Sequence, residues 1–186
     1  MTESNGPRAA LAALLDNPAD FLDATDSDVR RIAVAASLTH PELWNQVAAM
    51  MATDQDGTVR RECAEVLGMA PNTDPRVIES ALDDDVADVR EAGVTALGEI
   101  AARSSVPILI AKANDQDEDK LVREAAVAAL GAIGDPSALS TLLDLVVSGS
   151  PQIRRRCVAA LTVFDSPDVE AALQAAAGDR NPMVRE

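Results

Sequence analysis

The stretch that decides the fold is DDDVADVREAGVTALGEI, residues 83–100. Its three consecutive carboxylates, followed by a Val-Arg pair, fit two structures: a cation-binding loop or the polar start of a helix. The rest of the chain decides between them, because the stretch is one of six related copies. The Val-Arg or Ile-Arg pair recurs at intervals of 30, 30, 33, 31 and 31 residues, with its arginine at Arg30, Arg60, Arg90, Arg123, Arg154 and Arg185.

Each copy has the features of a helix that begins after a polar turn. Four residues before five of the six arginines stands a side chain that can cap a helix by accepting a backbone N–H bond. The residues at that position are Asp26, Asp56, Val86, Asp119, Ser150 and Asn181. Small, apolar and leucine residues follow the arginine at spacings of three, four and seven, which is one helix face. We expect these helices to end near Gly68, Gly98 and Gly131, because glycine is favoured just beyond a helix.

A second helix, usually introduced by a proline, fits between successive copies. A pair of short helices cannot bury its own apolar face, so successive pairs must stack on one another. The sequence therefore predicts an all-α fold, a right-handed α-α superhelix (α-solenoid) of about five to six helical hairpins. We expect one domain over residues 1–186, with an N-terminal segment over residues 1–17. The repeats are predicted at approximately residues 18–40, 41–70, 71–103, 104–134 and 135–165, with an incomplete repeat at 166–186.

The sixth copy stops just after its arginine, where a further helix is expected. Solenoids normally need a polar terminal cap, so two explanations stay open. Either the chain is a fragment of a longer protein, or its uncapped C-terminal end packs against a second copy or a partner.

The repeated pattern is Asp-x-(Asp/Ser/Asn)-x-x-Val-Arg, followed by small-apolar-x-x-Leu-Gly, and is clearest in residues 83–101 and 135–164. It resembles the short HEAT-like repeats of the armadillo-type fold that are grouped with phycobilin lyase subunits. The resemblance covers roughly residues 18–186, and it implies the fold far more than a function, because such folds host many roles. It also implies an alternative function, an accessory or chaperone-like enzyme subunit that holds a client protein or a cofactor.

The composition excludes several functional classes. The net charge is −15, from 16 basic and 31 acidic residues, so most of the surface repels a phosphate backbone and nucleic acid is not an expected partner. No run of about 18 apolar residues is present, so we expect no membrane span. The first residues lack the basic and apolar regions of a signal peptide, which predicts a cytoplasmic protein. Hydrophobic residues make up 47% of the chain but aromatic residues only 2%, which predicts a core of small aliphatic side chains.

Catalytic and metal sites are not expected. A calcium loop aligned on Gly57 would need carboxylates where Ala52 and Cys63 stand. The single histidine, His40, cannot supply the paired His-Glu motifs of the di-iron hydroxylases known among HEAT-like proteins, and it has no nucleophile partner. Cys63 and Cys157 occupy equivalent positions three repeats apart, so we expect two buried free thiols. The sequence thus predicts a protein that is not an enzyme and holds no cofactor.

The aspartates near each arginine are interpreted as structural. One caps the helix, and another is expected to pair with the arginine of its own or the next repeat, since an arginine fork bonds a carboxylate bidentately. Repetition would give an Asp/Arg ladder that ties the repeats together. Its predicted members are Asp54, Arg60, Asp84, Arg90, Asp117, Arg123, Arg154, Asp179 and Arg185.

The residues just after these arginines, and four positions further on, are expected to line the concave side of the solenoid, where such folds bind partners. The resulting candidates for partner binding are Arg31, Arg61, Glu65, Glu91, Thr95, Glu124 and Arg155. This row is basic at both ends and acidic in the middle, with alanines between. It predicts a protein-interaction scaffold or adaptor whose partner segment carries acidic, basic and acidic groups in turn. The alternative is a face that only water covers.

Overall fold

The computed structural model describes residues 6–185, and over this range the chain forms α-helices and short 3-10 turns with no β-strand. The prediction of an all-α fold is therefore confirmed. The helices are α1 (Gly6–Asp16), α2 (Ser27–Ala36), α3 (Trp44–Thr53), α4 (Gly57–Met69), α5 (Pro75–Glu79), α6 (Ala87–Glu99), α7 (Val106–Asn114), α8 (Lys120–Ile133), α9 (Leu139–Ser148), α10 (Pro151–Leu161), α11 (Pro167–Ala177) and α12 (Pro182–Arg185).

The helices begin where the sequence places caps. The side chains of five residues accept a hydrogen bond from a backbone N–H two or three positions on, at Asp26, Asp56, Asp119, Ser150 and Asn181. In the copy with Val86 at the cap position, Asp84 Oδ1 accepts the Val86 N–H at 2.8 Å, as Asp54 Oδ1 accepts that of Asp56 at 2.9 Å. Each such bond satisfies a donor that a helix start would otherwise leave unpaired.

The chain divides into two compact units, residues 1–96 (unit 1) and 97–186 (unit 2). In unit 1, α4 packs against α2 and α3, and the fully buried side chains include Val34, Val47, Val59, Val66, Ile78 and Leu82. In unit 2, α8 packs against α7 and α10, and α9 against α10, around Leu109, Leu130, Leu142 and Leu161. These aliphatic cores agree with the aromatic-poor composition.

The helices end near the three glycines, as expected, but the glycines do not lie beyond the helix ends. Gly68, Gly98 and Gly131 are buried inside α4, α6 and α8, before the last residue of each helix. A Cβ added to Gly98 would lie 3.0 Å from the Cα of Ala129, and one added to Gly131 would lie 2.7 Å from the Cα of Ala160. The repeated Leu-Gly thus marks a close contact with the corresponding helix of the next hairpin.

The ladder of ion pairs joins three of the repeated arginines to the aspartate of the following hairpin. Nε and Nη2 of Arg60 donate to the two carboxylate oxygens of Asp84 at 2.7 and 2.8 Å. Arg30 binds Asp54 in the same bidentate way, and Arg154 binds Asp179, with all four bonds at 2.8 Å. The sequence left open whether the pair forms within one repeat or between two, and these three pairs form between two.

The remaining nitrogen of the fork bonds the backbone of its own hairpin. Nη1 of Arg60 donates to the Asp54 carbonyl oxygen at 2.9 Å, and Nη1 of Arg90 donates to that of Asp84 at 2.7 Å. Arg185 makes the same contact with the Asp179 carbonyl oxygen at 2.7 Å. One guanidinium therefore fixes the turn of its own hairpin and, where it also binds a carboxylate, the turn of the next.

The ladder position predicted for Asp117 needs a correction. Asp117 is exposed, whereas the neighbouring Glu118 is only 5% exposed and accepts a hydrogen bond from Lys112 Nζ at 2.9 Å. Arg123 donates from Nε to the Ala113 carbonyl oxygen at 3.3 Å. In the three observed pairs the aspartate stands 24 or 25 residues after its arginine, whereas Asp117 stands 27 residues after Arg90, because the interval between Arg90 and Arg123 is 33 residues.

We expect Gly131→Ala to lower the free energy of unfolding by about 2 kcal/mol, because the new Cβ overpacks against the Ala160 backbone and outweighs the better helix propensity of alanine. Urea unfolding followed by circular dichroism measures this change. Gly6→Ala is the control, since a Cβ there meets nothing within 4 Å. Equal stabilities of the Gly131 variant and the wild type would contradict the close contact.

A double-mutant cycle with Arg60→Met and Asp84→Asn should give a coupling energy of about 1 to 3 kcal/mol, because both side chains are largely buried and bonded bidentately. Urea denaturation of the four proteins measures it. The matched cycle between Arg90 and Asp84 should give a smaller value, since Arg90 meets the Asp84 carbonyl oxygen, which asparagine retains. A larger coupling in the second cycle would place the pair within one hairpin.

The ladder should also make folding stability depend on pH. The hydrogen bonds from Arg154 hold the pKa of Asp179 at about 2, and those from Arg30 and Arg60 lower the pKa of Asp54 and Asp84. Each carboxylate thus stabilises the fold above the unfolded pKa of about 4. This contribution is lost as the pH falls from about 4 to about 2. Asp179→Asn should flatten the acid dependence of urea unfolding in this range, and Asp144→Asn, on the exposed face of α9, should leave its slope unchanged.

Candidate functional site

The candidate surface is a set of side chains on the second helix of each hairpin. We define the row as the residues one and five positions after each of the repeated arginines. In unit 1 the predicted binding residues lie on α2, α4 and α6, and in unit 2 they lie on α8 and α10. All seven are at least partly exposed: Arg31, Arg61, Glu65, Glu91, Thr95, Glu124 and Arg155.

In unit 1 the arginines of the row are paired with neighbouring carboxylates. Arg61 Nε donates to Glu65 Oε1, one helical turn along α4, at 2.8 Å. Arg31 lies 3.6 Å from Asp28 on its own helix and 3.7 Å from Glu62 on α4. The positive charge expected at this end of the row is therefore largely compensated within the protein. On α6, Thr95 Oγ1 donates to Glu91 at 3.3 Å.

Glu62 is a member of this surface that sequence reasoning missed. Burial, and then the nearby negative charge of Glu65, raise the pKa of the Glu62 carboxyl above its usual value. The sequence contains an indication of this pair. Glu62 stands two residues after its repeated arginine, and its charge is opposite to that of Arg31 in the preceding repeat. Arg156 is opposite in charge to Glu124 in the same way, and its Nε lies 3.9 Å from Glu124 Oε2. Charge pairs of this kind join α2 to α4 and α8 to α10.

In unit 2 the arginine of the row, Arg155, has no close carboxylate among the described residues. Arg155 is exposed, and among the described residues no carboxylate lies within ion-pair distance of it. Arg156 is about half exposed, and its separation from Glu124 is longer than a hydrogen bond. The same register position thus carries a compensated arginine in unit 1 and an uncompensated one in unit 2.

Two exposed apolar side chains extend the row by one further helical turn. Met69 is 55% exposed at the end of α4, and Val163 is 58% exposed just beyond α10. Both stand nine residues after their arginine, which continues the spacing of one and five. Sequence reasoning stopped the row one turn too early and missed them.

The two cysteines offer no reactive group. Cys63 and Cys157 are free and fully buried, and burial raises the pKa of each thiol to about 12. A thiol with that pKa is protonated at neutral pH and is a poor nucleophile or ligand. Within the described chain, no group of three or more His, Cys, Asp or Glu side chains could hold a metal ion.

Unit 1 contains one notable cleft, of about 380 Å³, at the turn before α2. It is lined mainly by polar side chains, and among them Arg30 and Asp54 already bond each other. The cleft is therefore part of the ladder edge, and it lacks the predominantly apolar lining typical of cofactor pockets. None of the helices in the described range is both long and apolar enough to cross a bilayer.

Comparison with known proteins identifies the repeat. A family model described as HEAT repeats matches residues 75–155. No curated protein matches the sequence. Among solved structures, the YibA protein of Escherichia coli is 18% identical with a TM-score of 0.67, covering 100% of this chain and 73% of that chain. Human deoxyhypusine hydroxylase, solved in complex with glycerol, is 18% identical with a TM-score of 0.43, covering 96% of this chain and 85% of that one.

The likeness to YibA concerns the fold, and the second likeness is too distant to carry an argument. The predicted resemblance to HEAT-like repeats is confirmed, while the subtype grouped with phycobilin lyase subunits stays a prediction. The matched repeats, the stacked helical hairpins of each unit and the fold shared with YibA give one conclusion: the chain has an all-α solenoid fold, and its residues 75–155 are similar to HEAT repeats.

Proposed function

We propose that this protein is a non-enzymatic interaction module, a scaffold or adaptor that binds a partner protein through the row. The observation that carries the proposal is the exposure of Arg155 on α10 and of Val163 just beyond its end, with the small, exposed Ala159 between them. Arginine is enriched at protein interfaces, the buried centre of an interface is more apolar than the rest of the surface, and repeat folds commonly bind partners on extended helix surfaces.

The chemistry of the remaining side chains supports a non-enzymatic role. The buried thiols have a pKa of about 12. The single histidine, His40, has its Nδ1 at 3.2 Å from the carbonyl oxygen of Ala36, the last residue of α2. The ladder arginines Arg30, Arg60 and Arg154 hold structural carboxylates. The polar cleft beside Arg30 gives no support to the alternative of a cofactor-holding enzyme subunit.

The proposal is tested by capture of partners from the native organism with immobilised protein and quantitative mass spectrometry. Arg155→Glu and Val163→Asp should each reduce the amount of the specifically captured proteins at least fivefold, because they place a charge where the interface is expected. The charge reversals Glu91→Lys and Glu124→Lys test the middle of the row in the same experiment.

Matched variants outside the row provide the controls. Arg180→Glu changes an exposed arginine in the turn before α12, and Val147→Asp changes an exposed valine on α9. Glu170→Lys on α11 is the control for the two glutamates. Capture that is equally reduced by row and control variants, or by neither, would refute the row as the binding surface. Circular dichroism must show that all variants fold like the wild type.

A further inference from the structure

The arginine run of α10 is divided between two roles. Arg154 is 4% exposed and holds Asp179 through two bonds of 2.8 Å, so it belongs to the ladder. Arg155 and Arg156 point outward from the same turn of helix. Glu124 Oε2 approaches Arg156 only to 3.9 Å. Two guanidinium groups therefore lie at the surface without a carboxylate at hydrogen-bonding distance.

Arg155 differs in this respect from the arginines at the same register in unit 1. In unit 1 the arginines at the same register, Arg31 and Arg61, have carboxylates of unit 1 beside them at 3.6 to 3.7 Å and 2.8 Å. Residues 97–186 contain 13 acidic and 9 basic side chains, so acids are available to unit 2 as well. None of those described is placed within hydrogen-bonding distance of either Arg155 or Arg156.

An apolar strip continues from these arginines toward the end of α10. Ala159 follows Arg155 at a spacing of four and shares its helix face, and Val163 stands four residues further on, just beyond the last residue of α10. Ala128 and Ala132 are exposed on α8, which packs closely against α10. Since alanine side chains rise little above the backbone, they leave room for another chain. The strip from Arg155 to Val163 is about 12 Å long at 1.5 Å per residue.

We propose that this α8–α10 surface recognises an acidic amphipathic segment of a partner protein. The segment brings carboxylates to Arg155 and Arg156 and places an apolar side chain against Val163, about two helical turns away. Arginine forks bind carboxylates bidentately, and this match of charge is the reason for choosing an acidic occupant. The inference rests on the proposed function and names the chemistry of the partner.

Nucleic acid fits this surface less well than an acidic peptide. A phosphate backbone gains its affinity from many cations, and here two arginines lie in a unit whose net charge is −4, from the same 9 basic and 13 acidic residues. A basic segment would be repelled by Arg155 and Arg156 and would bring no carboxylate to Arg155.

The experiment selects binders from a displayed library of 16-residue peptides against the full chain and measures affinities by fluorescence anisotropy. The selected peptides should carry a net negative charge and at least one large apolar residue. The double variant Arg155→Gln/Arg156→Gln should weaken their binding at least tenfold and reduce its salt dependence. The control Arg103→Gln/Arg180→Gln removes two exposed arginines of unit 2 outside the row and should change the affinity less than twofold.

The outcomes separate the partner chemistry from the proposed function. Binding lost with Val163→Asp but retained by Arg155→Gln/Arg156→Gln would overturn the acidic occupant and keep the row as a protein-binding surface. Selected peptides that are neutral or basic would overturn it in the same way. Displacement of the peptides by a single-stranded oligonucleotide at equal concentration would assign the surface to polyanions instead. Peptides unaffected by all row variants would refute the row itself.

Discussion

The interaction on which the rest of the structure depends is the bidentate bond between an arginine and the aspartate of the following hairpin. A pair of short helices has too little apolar surface to be stable alone, so its position must be set by its neighbours. Arg60 sets it by donating to the Asp84 carboxylate and to the Asp54 carbonyl oxygen at once. Two of the three carboxylates that suggested a cation site at residues 83–85 therefore bind a guanidinium group of the protein itself, since Asp85 also lies 2.8 Å from Arg60.

Close packing of small side chains supplies the second constraint. With few aromatic residues available, the helices reach high packing density by approaching one another at glycine and alanine, as Gly131 and Ala160 do in unit 2. Small side chains also determine the shape of the surface. The exposed alanine side chains of α8 and α10 extend little beyond the backbone. The longer side chains of Arg155 and Val163 therefore project further from the surface and are the expected points of contact for a partner.

The row illustrates how one register position can serve different purposes. On α2 and α4 its arginines are compensated by carboxylates of the same unit. One of these carboxylates, that of Glu62, is largely buried, and burial raises its pKa. On α10 the equivalent Arg155 is left uncompensated at the surface. A charge count along the sequence treats these arginines alike, whereas their environments give them opposite value for binding another protein.

Residues such as Asp26, Asp56 and Ser150 show what the sequence alone determined: the period, the helix starts and the all-α fold class, because capping and helix periodicity are local properties. Only the tertiary structure decided which groups meet across hairpins. It places the carboxylate of Asp84 at Arg60 and, among the described residues, places no carboxylate within ion-pair distance of Arg155, because such contacts depend on how neighbouring helices stack and not on residue order within a repeat.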